Sequence, residues 1–286
     1  MVYLIIVSFI WGFSFVIIKG SLTSLDSNFV SFFRLLLSLI VFIPFLRPAC
    51  VQFRDAVRLA AIGSVQFGFM YVAYVASYQY LPAHTIVLMT TTTPLFVSII
   101  HSFYDGKVRK VFLVTACLAV AAGIVLVYPE QTLDAGVYGV VLMQISNVAF
   151  AFGQVAYKRF MQTRPSLKDK NVFGYMYAGA VAVAGGFTLI ATDFTRLSIQ
   201  GHQWLALGYL GVIASGICFF LWNFGVRKVH AGSVAVMNNL KIPVGVVASL
   251  AILHETTDYP RLIAGCILFA AALWLNARVE IHAADS

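Results

Sequence analysis

Apolar runs close to twenty residues long, separated by short polar connections, occupy almost the whole chain. Ten can be marked off, at roughly 2–20, 28–46, 57–79, 83–104, 109–128, 136–157, 172–192, 203–225, 231–253 and 260–279. A helix rises about 1.5 Å per residue, so about 20 residues cross the ~30 Å hydrocarbon layer of a bilayer. The pattern predicts an all-α membrane protein of ten transmembrane helices. No connection is long enough to hold a soluble domain, and none is a low-complexity linker.

Two runs carry a polar cluster that ends in proline near mid-span. They are Thr90-Thr91-Thr92-Thr93-Pro94 in segment 4 and Asn238-Asn239-Leu240-Lys241-Ile242-Pro243 in segment 9. Proline lacks an N–H, so Pro94 frees the carbonyl of Thr90 and Pro243 that of Asn239. Both prolines are expected helix breaks. The clusters also belong to a repeat. Ala83, Val87 and Pro94 correspond to Gly232, Val236 and Pro243 at an offset of 149, and Gly63 and Tyr71 to Gly211 and Phe219 at 148. Lys19 ends segment 1 as Lys158 ends segment 6, at 139. Five spans per half is odd, so the halves, 1–130 and 131–286, are expected to be inverted five-helix repeats. Inverted repeats with interrupted helices point to a transporter with its site at the membrane midplane.

Composition agrees with the pattern: 60% of residues are hydrophobic, only 10% are charged, and mean hydropathy is +0.89. Soluble domains carry about 25% charged residues. The net charge of +8 lies in short loops, not in a stripe interleaved with aromatics, so nucleic acid is not an expected partner. Fourteen Lys and Arg residues, from Arg47 to Arg278, fall on one side of the predicted topology, against Lys19, Arg196 and Arg261 on the other. By the positive-inside rule both termini are cytoplasmic and the protein is a multi-pass protein of the inner or plasma membrane. Cys50, Cys117, Cys218 and Cys266 match no zinc or redox spacing. Val2 to Ile18 lacks a basic leader and reads as a retained span.

Lys241 lies about ten residues into its run, roughly 15 Å deep. No Asp or Glu lies deep in any predicted span. A charge at that depth usually marks a substrate or ion path, which makes Lys241 a candidate counter-ion for a carboxylate or phosphate. The alternative is that it bonds a carbonyl freed by Pro243, or snorkels to one face. Asn238 shares its helix face and is a substrate-contact candidate, while Asn239 points elsewhere as helix–helix glue. Thr90 and Thr93 share a face in segment 4, although threonine hydroxyls often bond their own backbone. Gln144, Asn147, Ala151 and Gln154 form one stripe on segment 6 that should face a cavity or another helix. Tyr71, Tyr74 and Tyr78 share a face of segment 3, where packing and binding are both open. Trp11 and Trp222 lie within spans rather than at the interfaces. Arg34, six residues into segment 2, is expected to be a structural anchor that snorkels to the outer face. Glu255 and Asp258 are expected in a solvated loop.

The order Trp11-Gly12-x-x-Phe15-x-x-x-Lys19, Phe33-Arg34, Pro94, then Pro243 followed by Glu255, resembles the EamA-type branch of the drug/metabolite transporter superfamily. The resemblance covers nearly the whole chain. It implies ten spans with 1, 3, 4, 6, 8 and 9 around a central cavity, alternating access, and export of small metabolites such as amino acids. Related branches carry organic phosphates and nucleotide sugars. The chain departs from the pattern at Asp105-Gly106, where the family often has a glutamate, and at Lys241, for which the resemblance supplies no role.

An intramembrane enzyme would need a nucleophile with a base, paired carboxylates or a metal cluster at depth. The sequence has no His-Glu-x-x-His, no paired mid-span aspartates and no Gly-x-Ser-x-Gly. The expectation is a non-enzyme without cofactor or metal, with a small-molecule substrate, as monomer or homodimer. Expected substrate contacts are Trp11, Tyr74, Tyr78, Thr90, Thr93, Asn147, Gln154, Trp222, Asn238 and Lys241. Amino acids or related anionic or zwitterionic compounds come first; an organic-anion or phosphorylated-metabolite exchanger is the alternative.

Overall fold

The structure, a computed structural model, describes residues 2–104, 106, 117, 118, 121, 125, 133–228, 231–255 and 257–284. Long helices account for nearly all of them. α1 is Val2–Leu22, α2 Ser27–Phe45, α3 Phe53–Ser77, α4 Ala83–Tyr104, α5 Leu133–Gln162, α6 Asp169–Ala191, α7 Gly201–Val226, α8 Ala231–Ile252 and α9 Tyr259–Ala284. α1 to α4, α6, α7 and the Ala135–Gln162 stretch of α5 are each long and apolar enough to cross a membrane. Their limits fall within a few residues of those the apolar runs predict. The expected fifth segment, 109–128, lies almost wholly outside the described residues.

Polar residues at the ends set where several helices begin. The Asp26 carboxylate accepts the Phe29 N–H at 2.9 Å and caps α2. Gln200 and Gln203 form a reciprocal capping box at the start of α7.

Within the helices the backbone is not uniformly α. Ile18–Leu22, Ser64–Phe69 and Leu210–Ile217 are wide π turns, and Thr90–Thr92 is a tight 3-10 turn. Such turns release backbone groups that must find other partners, since the bilayer interior offers no water. In the π stretch of α7 those partners are side chains. Trp11 Nε1 donates to Ala214 O at 2.9 Å, Ser38 Oγ to Gly211 O at 2.8 Å, and the Tyr177 hydroxyl to the carbonyls of Ser215 and Gly216. Pro243, by contrast, does not break its helix: α8 runs from Ala231 through to Ile252. A proline is tolerated inside a membrane helix where neighbouring helices enclose it, and here α1 lies directly alongside, with Gly12 against Val244.

The helices pack in a reciprocal pattern. α1 packs on α8 and α7; α5 packs on α4 and α3. α2 packs on α6 and α7, α3 on α6, and α4 on α8. Exchanging α1–α4 for α5–α8 maps the set of pairs onto itself, with α2–α6 and α4–α8 each returning to itself. Glycines permit the tightest crossings. A Cβ on Gly63 would lie 2.0 Å from the Met176 carbonyl oxygen, and one on Gly179 2.0 Å from that of Ala60, so α3 and α6 touch backbone to backbone.

Candidate functional site

Between α1, α2, α3, α4, α5, α7 and α8 lies a cavity of about 80 Å³. Its waist is aromatic. Trp11 sits 4.8 Å from Phe219 and 6.2 Å from Phe150 between ring centroids, Phe150 5.7 Å from Phe219, and Phe219 5.8 Å from Tyr71. These four side chains come from α1, α5, α7 and α3. Trp11 and Phe150 are 139 residues apart and Tyr71 and Phe219 148, the spacings of the sequence repeat. Phe15, Met70 and Met143 extend the apolar wall.

Lys241 enters this wall from α8 and is only 5% exposed. Its Nζ donates to Asn238 Oδ1 at 3.1 Å and stands 5.4 Å from the centroid of the Trp11 ring. It neither reaches a carbonyl freed by Pro243 nor snorkels to a surface. No carboxylate pairs with it among the described residues. Asn238 in turn donates to Thr90 O at 3.4 Å, the carbonyl that Pro94 leaves without its α-helical donor.

The polar cluster of α4 is tied down by α5 and its own turn. The 3-10 geometry sends the Thr93 N–H to Thr90 O, which releases the carbonyl of Met89. Asn147 Nδ2 takes that carbonyl at 2.9 Å and also reaches Thr92 Oγ1 at 2.8 Å. Thr93 Oγ1 donates to Asn147 Oδ1 at 3.3 Å, whereas Thr90 bonds its own backbone at Val87 O, 2.7 Å.

Trp11, Tyr74, Thr90, Thr93, Asn147 and Lys241, all sequence candidates, therefore line one cavity. Tyr78, Gln154, Trp222 and Asn238 are not among its lining residues. Tyr78 is buried behind Tyr74, with 2.7 Å between hydroxyls. Trp222 Nε1 donates to Gln154 Oε1 at 3.1 Å, so the lower end of the α5 stripe serves a helix contact. Gln144, at its other end, accepts from Thr92 Oγ1 at 2.9 Å. Asn239, the expected helix–helix glue, has its Oδ1 buried without a hydrogen bond among the described residues.

Sequence reasoning missed part of the wall. Phe150 is not singled out by the sequence, Phe219 stands there only as a repeat landmark, and Tyr71 shares the face of Tyr74 and Tyr78 without being an expected contact; the repeat spacing applied to Trp11 finds Phe150. Arg34 was placed near the outer face by its depth along α2, yet it is 2% exposed and lines the cavity. Depth along a helix does not say what packs against it, and here α3 and α7 cover the guanidinium.

At one end of the bundle Glu255, expected in a solvated loop, is instead mostly buried. It accepts the N–H groups of Ala83 and His84 at 2.7 and 3.1 Å, capping α4, and pairs with His84 Nδ1 at 2.7 Å. Burial pushes its carboxyl up, but the hydrogen bonds from His84 and the two backbone groups outweigh this and hold it below the ordinary glutamate value. Nearby, Lys19 Nζ donates to Tyr78 O and Leu81 O at 2.8 and 3.1 Å. At the opposite end Asp55 takes a two-pronged contact from Arg164 at 2.8 and 3.2 Å. Among the described residues no group of His, Cys, Asp and Glu could hold a metal ion.

The profile of the EamA-like transporter family matches residues 1–128 and 137–277. A biotin transporter of Salmonella typhimurium is 35% identical over 280 residues, 97% of this chain and 93% of that protein. A probable biotin transporter of Pseudomonas aeruginosa is 36% identical over 285 residues, 98% and 99% of the two chains. A solved structure described only as the crystal structure of a protein superposes with a TM-score of 0.66 at 16% identity, covering 97% of this chain and 96% of that one; this likeness concerns the fold alone. A cavity walled by long apolar helices is what a transporter family requires, and the match extends over nearly the full length. The chain is a multi-pass membrane protein and a transporter rather than an enzyme, and it belongs to the EamA-like transporter family.

Proposed function

We propose that the chain carries a small amphipathic organic carboxylate across the inner membrane by alternating access, and that biotin is this substrate. The observation that carries the proposal is Lys241, a buried cation whose one hydrogen-bond partner among the described residues is the neutral Asn238 Oδ1, in a cavity with an aromatic waist. A substrate carboxylate supplies the missing counter-charge, and the Trp11, Phe150 and Phe219 rings suit the apolar middle of the molecule. The names of the two relatives support biotin. An amino acid, the substrate expected first from the sequence, also brings an ammonium group, and no acidic side chain is among the described residues lining the cavity to meet it. The amino-acid expectation therefore gives way to an organic carboxylate.

In this reading Thr93 and Asn147 line the path beside Lys241, while Tyr78, Gln154, Trp222 and Asn238 hold the lining in place from behind. The molecule is two inverted five-helix repeats, 1–130 and 131–286, with ten spans and both termini cytoplasmic. The reciprocal helix packing and the repeat-related aromatic waist support that architecture. The test is uptake and counterflow of labelled biotin in proteoliposomes, for wild type and Lys241→Met, with amino acids as competitors. Wild type should move biotin saturably, and the variant should lose about tenfold or more of that rate, the worth of one charge-assisted contact. Saturable amino-acid transport without biotin transport sinks the proposal.

A further inference from the structure

Arg34 is a second cation in the same cavity, and the transport reading above does not use it. Its Nε and Nη2 donate to Ser215 Oγ at 3.3 and 3.1 Å, and Nη2 also reaches the Tyr71 hydroxyl at 3.1 Å. Its guanidinium carbon stands 4.7 Å from the centroid of the Tyr71 ring. All of these partners are neutral. Nη1 is buried with no hydrogen-bond partner among the described residues, and no carboxylate pairs with the group there. Arginine stays charged at any physiological pH. A fixed, buried charge with one idle nitrogen is costly to keep in a membrane, and intramembrane charges of this kind mark functional positions.

The two cations also stand at different members of the aromatic waist. Arg34 stacks on Tyr71, Lys241 stands against Trp11, and Phe219 lies between those rings, 5.8 Å from one and 4.8 Å from the other. The cavity thus offers two separate donors, each against a different ring of one aromatic waist. A substrate that fits carries an acceptor at each end and an apolar middle. We infer that Arg34 Nη1 is the second anchor of the substrate, donating to a neutral carbonyl oxygen at the end opposite the carboxylate. A second carboxylate would take two guanidinium nitrogens at once, and Ser215 and Tyr71 already occupy the others; one carbonyl oxygen needs only the idle one. This inference rests on the carboxylate at Lys241, and for biotin the oxygen is that of the ureido ring.

The test compares ligands as well as variants, using the purified full chain in detergent. Wild type, Arg34→Lys, Ser215→Ala and Lys241→Met are titrated with biotin, with 2-thiobiotin, in which sulfur replaces the ureido oxygen, and with biotinamide, which lacks the carboxylate. Wild type should prefer biotin over 2-thiobiotin by about tenfold or more. Arg34→Lys should bring that ratio close to one while keeping the preference for biotin over biotinamide. Lys241→Met should do the reverse. Ser215→Ala keeps Arg34 and releases two of its nitrogens, so it should keep both preferences. An unchanged biotin to 2-thiobiotin ratio in Arg34→Lys overturns the inference while leaving the transport reading intact. So does an equal loss of every ligand in Arg34→Lys and Ser215→Ala, which would assign Arg34 to the scaffold. Failure of wild type to bind biotin at all defeats the transport reading, and the inference falls with it.

Discussion

Asn147 shows how the interrupted part of α4 is held. The tight turn at Thr90–Thr92 strands the Met89 carbonyl, and the Asn147 amide meets it at 2.9 Å while also bonding Thr92 and Thr93. Asn238 plays the matching part from α8 at the Thr90 carbonyl. Removing the amide leaves the buried Met89 carbonyl only the Thr92 hydroxyl, at 3.0 Å, which Gln144 Oε1 also shares, and no water to make up the loss. Asn147→Leu is therefore expected to cost about 1–2 kcal/mol, the upper end of what hydrogen bonds between membrane helices contribute. A lowered unfolding temperature in detergent is the readout, and a Tm equal to wild type would remove Asn147 from this role. The sequence showed where both clusters lie, because polar residues and prolines stand out in apolar runs. It could not show that their polar atoms serve each other, since that pairing joins residues 148 positions apart. Arg34 was misplaced for a related reason: its neighbours Tyr71 and Ser215 lie on other helices.

Helix limits were legible because length and hydropathy alone decide what can cross a bilayer. The irregular turns were not: nothing in Leu210–Ile217 marks a π stretch until Trp11, Ser38 and Tyr177 are seen taking its free carbonyls. Nor does a proline's missing donor alone decide between kink and continuity, as Pro94 follows a 3-10 turn while α8 continues through Pro243. Glycines divide in the same way. Gly63 was visible as a repeat landmark, but its reason is the α6 backbone against it. A Cβ there meets carbonyl oxygen at 2.0 Å, whereas one on Gly186 of α6 meets nothing within 4 Å. Gly63→Ala must push two helices apart, and a loss of about 1–3 kcal/mol or more is expected. Gly186→Ala should be neutral or gain up to about 1 kcal/mol from helix propensity. Parallel thermal unfolding of the two variants measures the contrast, and equal Tm values would mean the α3–α6 crossing is looser than this geometry.

At the scale of the molecule, the two groups of helices, α1–α4 and α5–α8, are tied at both ends by polar contacts that cross between them. Arg164 grips Asp55 at one end, and Glu255 caps α4 and pairs with His84 at the other. The Glu255 tie has a pH signature. Its folded carboxyl lies below the ordinary value, because His84 and the Ala83 and His84 N–H groups favour the ionised form more than burial opposes it. The unfolded group titrates near about 4.3. Stability from this site is therefore complete above that value and is lost as pH falls through the lower folded value. Glu255→Gln removes the charge and the linkage with it. Wild type should out-stabilise the variant at pH 7, and the gap between their unfolding temperatures should narrow on acidification below about pH 4. A gap that stays constant from neutral pH to about pH 3 would mean that the ionised carboxylate contributes nothing to closing this end of the bundle.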